Sequence, residues 1–187
     1  MNFDKGYLEI VIGPMCSGKT TYLFDRLNTF VVFGKNCLYI NHSIDTRGDV
    51  YSSHNENLNV SQTIHMIKSA SIKSLYNMIK DYDVIAIDEG QFFDDLDEGV
   101  RHVIETMKKM VFVGGLSGDF KRKKFGHILE LIPYADHFKK LEAFCVECMK
   151  NNLYRVASFS KRVDESDKNL IVIGDTDVYV PVCRLCY

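Results

Sequence analysis

The chain has 187 residues, of which 46% are hydrophobic, and this suits one domain of moderate size or a core domain with a small appendage. The net charge of −2 gives no electrostatic reason to expect nucleic acid as a partner, so small-molecule substrates are favoured. The sequence has neither a signal-like start nor an apolar run near the roughly 18 residues that span a bilayer, and we therefore expect a cytoplasmic protein with no membrane partner.

The first predicted strand, residues 7–12, leads directly into a phosphate-binding loop. The loop has the pattern G-x-x-x-x-G-K-[ST] and consists of Gly13, Pro14, Met15, Cys16, Ser17, Gly18, Lys19 and Thr20. Its glycines let the backbone curl until successive N–H groups converge on phosphates, and the next helix presents its positive N-terminal end to them. Lys19 can then reach the β- and γ-phosphates, and Thr20 can bind Mg²⁺. The motif predicts that the chain binds a nucleoside triphosphate.

Strands and helices alternate after this loop. The predicted order is a helix at 20–33, a strand at 36–40, an irregular segment at 41–59, a weaker strand near 60–64, a helix at 71–80, a strand at 83–88, a helix at 95–109 and a strand at 110–114. Such alternation predicts an α/β fold of the P-loop (RecA-like) class, with a mostly parallel sheet flanked by helices.

Two acidic residues, Asp88 and Glu89, stand at the carboxyl end of the strand predicted at 83–88, where open α/β sheets bind their ligands. Asp88 is a candidate for holding Mg²⁺, directly or through water. Glu89 could accept a proton from an attacking hydroxyl or water. A solvated acidic turn is the alternative, which the phosphate loop upstream disfavours. Arg47, in the irregular segment, could neutralise charge on a transferred phosphoryl group or could be a surface arginine.

A basic run at 121–124 could contact phosphate or nucleic acid, but the acidic balance elsewhere favours a solvated run. Several aromatic residues stand close to polar motifs: Phe92, Phe120, Phe125 and Tyr179. Each could be a core residue, and together they could instead form a stacking site for a nucleobase.

Two C-x-x-C pairs near the end of the chain predict a structural zinc site. Cys145 and Cys148 form the first pair, Cys183 and Cys186 form the second, and 34 residues separate them. This spacing sets four thiolates around Zn²⁺, and four protein ligands would make the metal a structural staple. The segment at 151–181, which contains two predicted strand pieces at 153–159 and 170–173, would then be a metal-pinned loop. A redox-active C-x-x-C is the alternative, disfavoured because one pair suffices for that chemistry.

The motifs together, in their order and approximate spacing, resemble those of the cellular-type (type II) thymidine kinases, including the compact viral members. They are the phosphate loop, Asp-Thr-Arg at 45–47, Asp-Glu-Gly-Gln-Phe-Phe at 88–93, Phe-Gly at 125–126, the two cysteine pairs, and Tyr179 ahead of Pro181. The resemblance covers residues 8–187. It implies transfer of the γ-phosphoryl group of ATP to the 5′-hydroxyl of thymidine, a nucleotide-salvage step that supplies DNA synthesis.

The resemblance also implies roles for individual residues. Glu89 matches the general base of the family, and Thr20 and Asp88 match its Mg²⁺ ligands. The ATP site would comprise residues 13–20 together with Arg47, Asp88 and Gln91. The thymidine pocket would comprise Met15, Phe92, Leu116, Phe120, Phe125, Ser160, Val172, Gly174 and Tyr179.

Further expectations concern organisation and assembly. Residues 1–140 would form the nucleotide-binding α/β domain, and residues 141–187 a zinc-binding subdomain whose lasso loop, between 152 and 181, covers the base. Members of the family commonly form homotetramers, sometimes dimers, and are inhibited by the end product dTTP. Ser117 departs from the family, where many members have Asp. The rival function is a nucleic-acid-dependent ATPase in which Asp88 and Glu89 activate water.

Overall fold

The computed structural model describes residues 5–46, 51, 55, 57–164 and 177–187. Its strands are β1 (Tyr7–Ile12), β2 (Cys37–His42), β3 (His65–Ser69), β4 (Val84–Ile87), β5 (Met110–Gly115), β6 (His137–Lys140), β7 (Ala143–Phe144), β8 (Val156–Ala157), β9 (Phe159–Arg162) and β10 (Tyr179–Val182). Its α-helices are α1 (Lys19–Val32), α2 (Tyr76–Ile79), α3 (Leu96–Arg101) and α4 (Val146–Met149).

A six-stranded, fully parallel sheet forms the centre, in the order β3–β2–β4–β5–β1–β6. The α/β prediction is therefore confirmed. Only β5 separates β1 from β4, so the loops that follow these two strands leave the same edge of the sheet close together. Open parallel sheets bind ligands at this carboxyl edge.

Both edge strands differ from the sequence prediction. The prediction of a weaker strand near 60–64 is wrong, because β3 begins only at His65. The other edge strand, β6, was not predicted at all. Edge strands are half-solvated and therefore lack the apolar run that marks a central strand. All four residues of β6 are exposed, and two of them are lysines.

The helices predicted at 71–80 and 95–109 are shorter than expected. The first is a 3₁₀ turn at Lys73–Leu75 followed by the single turn α2. The second is α3, continued by a π-helical turn at His102–Thr106. These elements cover one face of the sheet, where the apolar side chains of Ile72, Ile79 and Val100 are fully buried.

Helix α1 covers the other face of the sheet. Its side chains Leu23, Phe24, Leu27 and Phe30 recur at a spacing of three and four residues, so they lie on one side of the helix and are buried. The Phe24 ring stacks on Tyr39 of β2 with ring centroids 4.5 Å apart. Each such side chain contributes about 1.5–3 kcal/mol by leaving water, and this fixes the start of α1 against the sheet.

Glu9 is the charged exception in the otherwise apolar strand β1, and it is buried. Arg26 of α1 donates to its carboxylate at 3.0 Å, and the Tyr7 hydroxyl donates at 3.0 Å. Burial and the adjacent Glu9 raise the pKa of Tyr7 to about 12. A buried carboxylate survives in a core only when paired in this way.

The C-terminal elements form two small antiparallel pairs, β7 with β8 and β9 with β10. They surround a separate buried cluster that contains Ala157, Val182 and three cysteines. The strand predicted within 153–159 is thus divided between β8 and β9. The strand predicted at 170–173 lies outside the described residues.

Candidate active site

The phosphate loop connects β1 to α1 in a conformation that depends on its glycines. A Cβ atom at position 13 would lie 2.4 Å from Ser17 Oγ and 2.8 Å from the Leu141 carbonyl oxygen, so only glycine fits there. Gly18 precedes α1 with φ of 84°, in the left-handed region that glycine adopts at little cost. Cys16 also has a positive φ, 58°, and its side chain is exposed.

Lys19 lies over this loop. Its side chain is 9% exposed, and Nζ donates to the Pro14 carbonyl oxygen at 2.7 Å. The ammonium group is therefore held at the loop whose N–H groups are suited to phosphate. This places a positive charge where the sequence predicts the β- and γ-phosphates.

Thr20 and Asp88 meet between the phosphate loop and the end of β4. Thr20 Oγ1 donates to Asp88 Oδ2 at 2.6 Å, and the Tyr39 hydroxyl donates to the same oxygen at 2.9 Å. The backbone N–H of Glu89 donates to Asp88 Oδ1 at 2.8 Å. A hydroxyl and a carboxylate oxygen side by side are the donor chemistry that Mg²⁺ prefers. The predicted Mg²⁺ ligands are thus adjacent.

The Asp88 carboxylate is buried, and burial raises its pKa, with a further contribution from the neighbouring Glu89. Three hydrogen bonds, from Thr20, Glu89 N–H and Tyr39, oppose this rise without cancelling it. In the absence of a cation, the ionised carboxylate of Asp88 is therefore less stable in the folded protein than it would be in water.

This raised pKa predicts how stability depends on pH. An unfolded aspartate has a pKa of about 3.9. When the pKa is higher in the folded state, the free energy of unfolding decreases as pH rises from the unfolded pKa through the folded pKa. For the metal-free, unliganded protein, we expect the melting temperature of Asp88→Asn minus that of the wild type to increase as pH rises above about 4, the unfolded pKa of an aspartate. Thermal melts across this range test it, and a difference that is constant or falls with pH would contradict it.

Glu89 follows directly and has a positive φ of 52°. A non-glycine residue in this region costs of order 1–3 kcal/mol and is found preferentially at functional sites. Its half-buried side chain accepts a hydrogen bond from Gln91 Nε2 at 2.5 Å. Gln91 lies in the 3₁₀ turn at Gly90–Phe92, which follows Glu89 directly.

Aromatic rings form a wall beyond this turn. The rings of Phe92 and Phe125 meet edge to face with centroids 5.5 Å apart. His42, at the end of β2, packs between Phe92 and Phe93 with centroid distances of 5.8 and 4.6 Å. Phe93 is fully buried, whereas Phe92 and Phe125 are half-buried. The sequence did not single out His42, whose pKa burial lowers.

The strand β9 brings the C-terminal part of the chain to the phosphate loop. The backbone N–H of Met15 donates to Ser160 Oγ at 3.0 Å, and Ser160 is paired with Pro181 across the β9–β10 ladder. Two predicted pocket residues from distant parts of the sequence are therefore in contact.

Arg162 connects two further predicted pocket residues and was missed by sequence reasoning. It is buried, its guanidinium lies 3.9 Å from the centre of the Phe120 ring, and it donates to the Tyr179 hydroxyl at 2.5 Å. Arg162 stands in a charged run at 161–168, and such a run usually indicates a solvent-exposed surface, so nothing in the sequence indicated a buried arginine. Arg47, Val172 and Gly174 lie outside the described residues.

The basic run at 121–124 is exposed, as the solvated interpretation predicts. Two of its residues nevertheless have defined neighbours. The Arg122 guanidinium lies 4.0 Å from the centre of the Tyr187 ring, and Lys124 forms an ion pair with Glu130 at 2.5 Å.

The four paired cysteines converge on one point, with all four Sγ atoms within 4.8 Å of one another. Desolvation opposes ionisation of Cys183, but backbone N–H groups of Cys186 and Leu185 lower its pKa to about 6. The Cys186 thiol donates hydrogen bonds to the sulfurs of Cys148 and Cys183, and this raises the pKa of Cys186 to about 12. Four sulfur donors at this separation fit tetrahedral Zn²⁺, which would allow all of them to ionise. A redox role needs one pair only and does not explain the convergence.

The family model described as thymidine kinase matches residues 6–187. The chain belongs to the thymidine kinase family. It is 40% identical over 183 residues to the thymidine kinase of Amsacta moorei entomopoxvirus, covering 96% of this chain and 97% of that protein. It is 38% identical to the cytosolic thymidine kinase of Bos taurus, covering 98% and 72% of the two chains. With the thymidine kinase of Vaccinia virus (strain Western Reserve) the identity is 37%, over 98% of each chain.

These relatives confirm the resemblance to the thymidine kinases, both cellular and viral. The matched residues include the phosphate loop and both cysteine pairs. No helix in the described part of the chain is both long and apolar enough to cross a membrane.

Proposed function

We propose that this chain is a thymidine kinase that transfers the γ-phosphoryl group of ATP to the 5′-hydroxyl of thymidine. The observation that carries the proposal is the meeting of Thr20 Oγ1 and Asp88 Oδ2 at 2.6 Å, with Glu89 next in the chain. The residues that we propose for the triphosphate and for the base therefore lie near one another at one edge of the sheet. Membership of the thymidine kinase family supports thymidine as the acceptor.

In the proposed reaction Glu89 is the general base. It takes the proton of the 5′-hydroxyl as that oxygen forms a bond to the γ-phosphorus, while the bond from that phosphorus to the β–γ bridging oxygen breaks and ADP leaves. Lys19 and the loop N–H groups at 13–20 hold the triphosphate, and Arg47 contacts the transferred group. Thr20 and Asp88 would hold Mg²⁺, which when bound neutralises charge on the phosphate oxygens.

The proposed thymidine pocket comprises Met15, Phe92, Leu116, Phe120, Phe125, Ser160, Val172, Gly174 and Tyr179. Among the described members, the Met15–Ser160 hydrogen bond and the Phe92–Phe125 contact support a shared pocket. A lasso between residues 152 and 181 would cover the base and read it through backbone groups. Recognition of the base through backbone groups would account for the lack of an obvious base-reading side chain in the sequence.

We also propose a nucleotide-binding domain at 1–140 and a zinc-binding subdomain at 141–187. The end of the sheet at Lys140 and the separate apolar cluster around Ala157 support this boundary. Cys145, Cys148, Cys183 and Cys186 would hold Zn²⁺, whose role is to fasten both ends of the lasso.

The assembly and regulation that we propose follow the family. The chain would form a cytoplasmic homotetramer, or a dimer, and dTTP would inhibit it. Val32 and Phe33 at the end of α1 are 83% and 71% exposed, and apolar side chains this exposed favour a contact between subunits. The relative from Bos taurus is described as cytosolic, which supports the compartment.

Consumption of ATP with Mg²⁺ across a panel of acceptors tests the proposed function. The panel contains thymidine, deoxyuridine, deoxycytidine, deoxyguanosine, single-stranded DNA and no acceptor, and the products are identified. We expect consumption that depends on thymidine and yields its 5′-monophosphate. Consumption driven by DNA would instead support the nucleic-acid-dependent ATPase.

Deoxyuridine should be a slower but real substrate. It lacks only the 5-methyl group of thymidine, and one such group in an apolar pocket contributes roughly 1–3 kcal/mol of discrimination, or about 10- to 200-fold. We therefore expect kcat/KM for deoxyuridine to be lower than for thymidine by a factor in this range. Steady-state kinetics with both nucleosides measures the ratio. Discrimination above about 10⁴-fold would mean that the pocket recognises the methyl group by more than apolar contact.

A further inference from the structure

The side-chain amide of Gln91 bridges two parts of the site. Gln91 lies in the turn after Glu89 and is 4% exposed. Its Nε2 donates to Glu89 Oε2 at 2.5 Å, and its Oε1 accepts from the backbone N–H of Leu116 at 2.8 Å. The amide therefore connects the proposed base to the segment that follows β5, where the proposed nucleoside pocket has one of its members.

The orientation of this amide follows from its partners. A backbone N–H can only donate, so the amide oxygen must face Leu116, and the NH₂ group must then face Glu89. A donated hydrogen bond of this kind favours a carboxylate acceptor and is stronger than one between neutral groups. It also fixes the rotation of the Glu89 carboxylate about its last bond.

Two glycines keep the amide where it is. A Cβ atom at position 115 would lie 2.5 Å from Gln91 Oε1, and one at position 126 would lie 2.0 Å from the Gln91 carbonyl oxygen. Gly126 has φ of 59°, which favours glycine independently. Backbone thus packs closely against both the side chain and the main chain of Gln91, and its amide is held by packing as well as by hydrogen bonds.

We propose that Gln91, held by the Leu116 N–H, is a positioning residue for Glu89, and that it does not act by contacting ATP. The proposal rests on the proposed role of Glu89 as the general base. It replaces the assignment of Gln91 to the ATP site that the family resemblance implies. Gln91 acts in it by holding the carboxylate in the direction from which the nucleoside hydroxyl loses its proton, at a fixed distance from the pocket.

The first test separates turnover from ATP binding. Gln91→Met has a side chain of similar length but makes neither hydrogen bond, and we expect kcat to fall roughly 10-fold or more while KM for ATP changes by less than about 2-fold. A raised KM for ATP with kcat unchanged would overturn the proposal and return Gln91 to the ATP site. The matched control is Gln62→Met, because Gln62 is the other glutamine of the chain and is exposed.

A second variant keeps the test valid if loss of the Leu116 hydrogen bond impairs folding. Gln91→Glu retains an oxygen that can accept from the Leu116 N–H, but it places an acidic oxygen against Glu89 in place of the donor. Thermal melts establish that each variant is folded before kinetics are measured. We expect Gln91→Glu to lose kcat at least as strongly as Gln91→Met, and wild-type kcat in this variant would overturn the proposal.

A double-variant cycle decides whether Gln91 acts through Glu89. If it does, Glu89→Gln combined with Gln91→Met should be no slower than Glu89→Gln alone, because the base that Gln91 positions is already absent. If the double variant is instead slower by the product of the two separate factors, Gln91 acts on turnover independently of Glu89, and this would overturn the proposal. Full turnover in Glu89→Gln would instead remove the proposed base itself. A slow Glu89→Gln beside a fully active Gln91→Met would overturn only the role of Gln91.

Discussion

Thymidine turnover by Glu89→Gln should be at least about 10²-fold slower than by the wild type, because the amide cannot accept the proton of the 5′-hydroxyl. Binding of Mg·ATP should be nearly unchanged, since the proposed triphosphate contacts come from the phosphate loop, Lys19 and Asp88. The substitution preserves side-chain shape, so Gln91 can still donate to the residue at position 89. Quench-flow kinetics and calorimetric ATP titration measure the two quantities separately.

The matched control for this variant is Glu105→Gln, because Glu105 is an exposed glutamate outside the site. It should retain wild-type turnover. Unchanged turnover in Glu89→Gln would show that another group accepts the proton. Loss of ATP binding in parallel with turnover would show that the carboxylate contributes to the triphosphate site instead.

Loss of zinc should have the second large effect. Structural Zn²⁺ contributes an apparent 10–16 kcal/mol of binding free energy in small zinc-folded peptides, so the region around the four cysteines should not keep its fold without it. We expect Cys148→Ser to lose bound zinc and thymidine turnover together, because β9 carries Ser160 to the phosphate loop. The parallel sheet, with its own two apolar clusters, should stay folded.

Zinc content by atomic absorption, ATP binding and turnover are measured on the same preparations. Cys37→Ser is the matched control, since Cys37 is buried in the main core and distant in sequence from both pairs. It should lose some stability but retain one zinc per chain. Full zinc content in Cys148→Ser, or full turnover after zinc is removed by a chelator, would contradict the structural role.

The sequence predicted the centre of the fold because the central strands carry their own signal. β4 and β5 are continuous apolar runs and β2 begins with one at residues 37–40; every residue of the three strands is buried, and the strands lie close to the predicted positions. The edge strands β3 and β6 carry polar and charged residues on exposed surfaces, so local pattern alone does not mark them. Their pairing depends on the neighbouring strand, which is a property of the whole sheet.

The candidate site shows the same distinction between local and distant information. Some parts of the site are short motifs that can be recognised from a few consecutive residues: the phosphate loop, the pair Asp88–Glu89 and each cysteine pair. The contacts of Gln91 with Leu116 and of Arg162 with Phe120 join residues 25 and 42 positions apart, and no local pattern encodes them. Arg162 in particular looks like a surface charge until the aromatic rings around it are in place.

Transfer of a labelled γ-phosphoryl group in a single turnover tests the central claim most directly. The protein, in excess over ATP labelled at the γ-phosphorus, is mixed with Mg²⁺ and thymidine and quenched at increasing times. We predict that the label moves from ATP to thymidine 5′-monophosphate in stoichiometric yield and stays in ATP when thymidine is omitted. Label released as inorganic phosphate at the same rate with or without thymidine would contradict the kinase assignment.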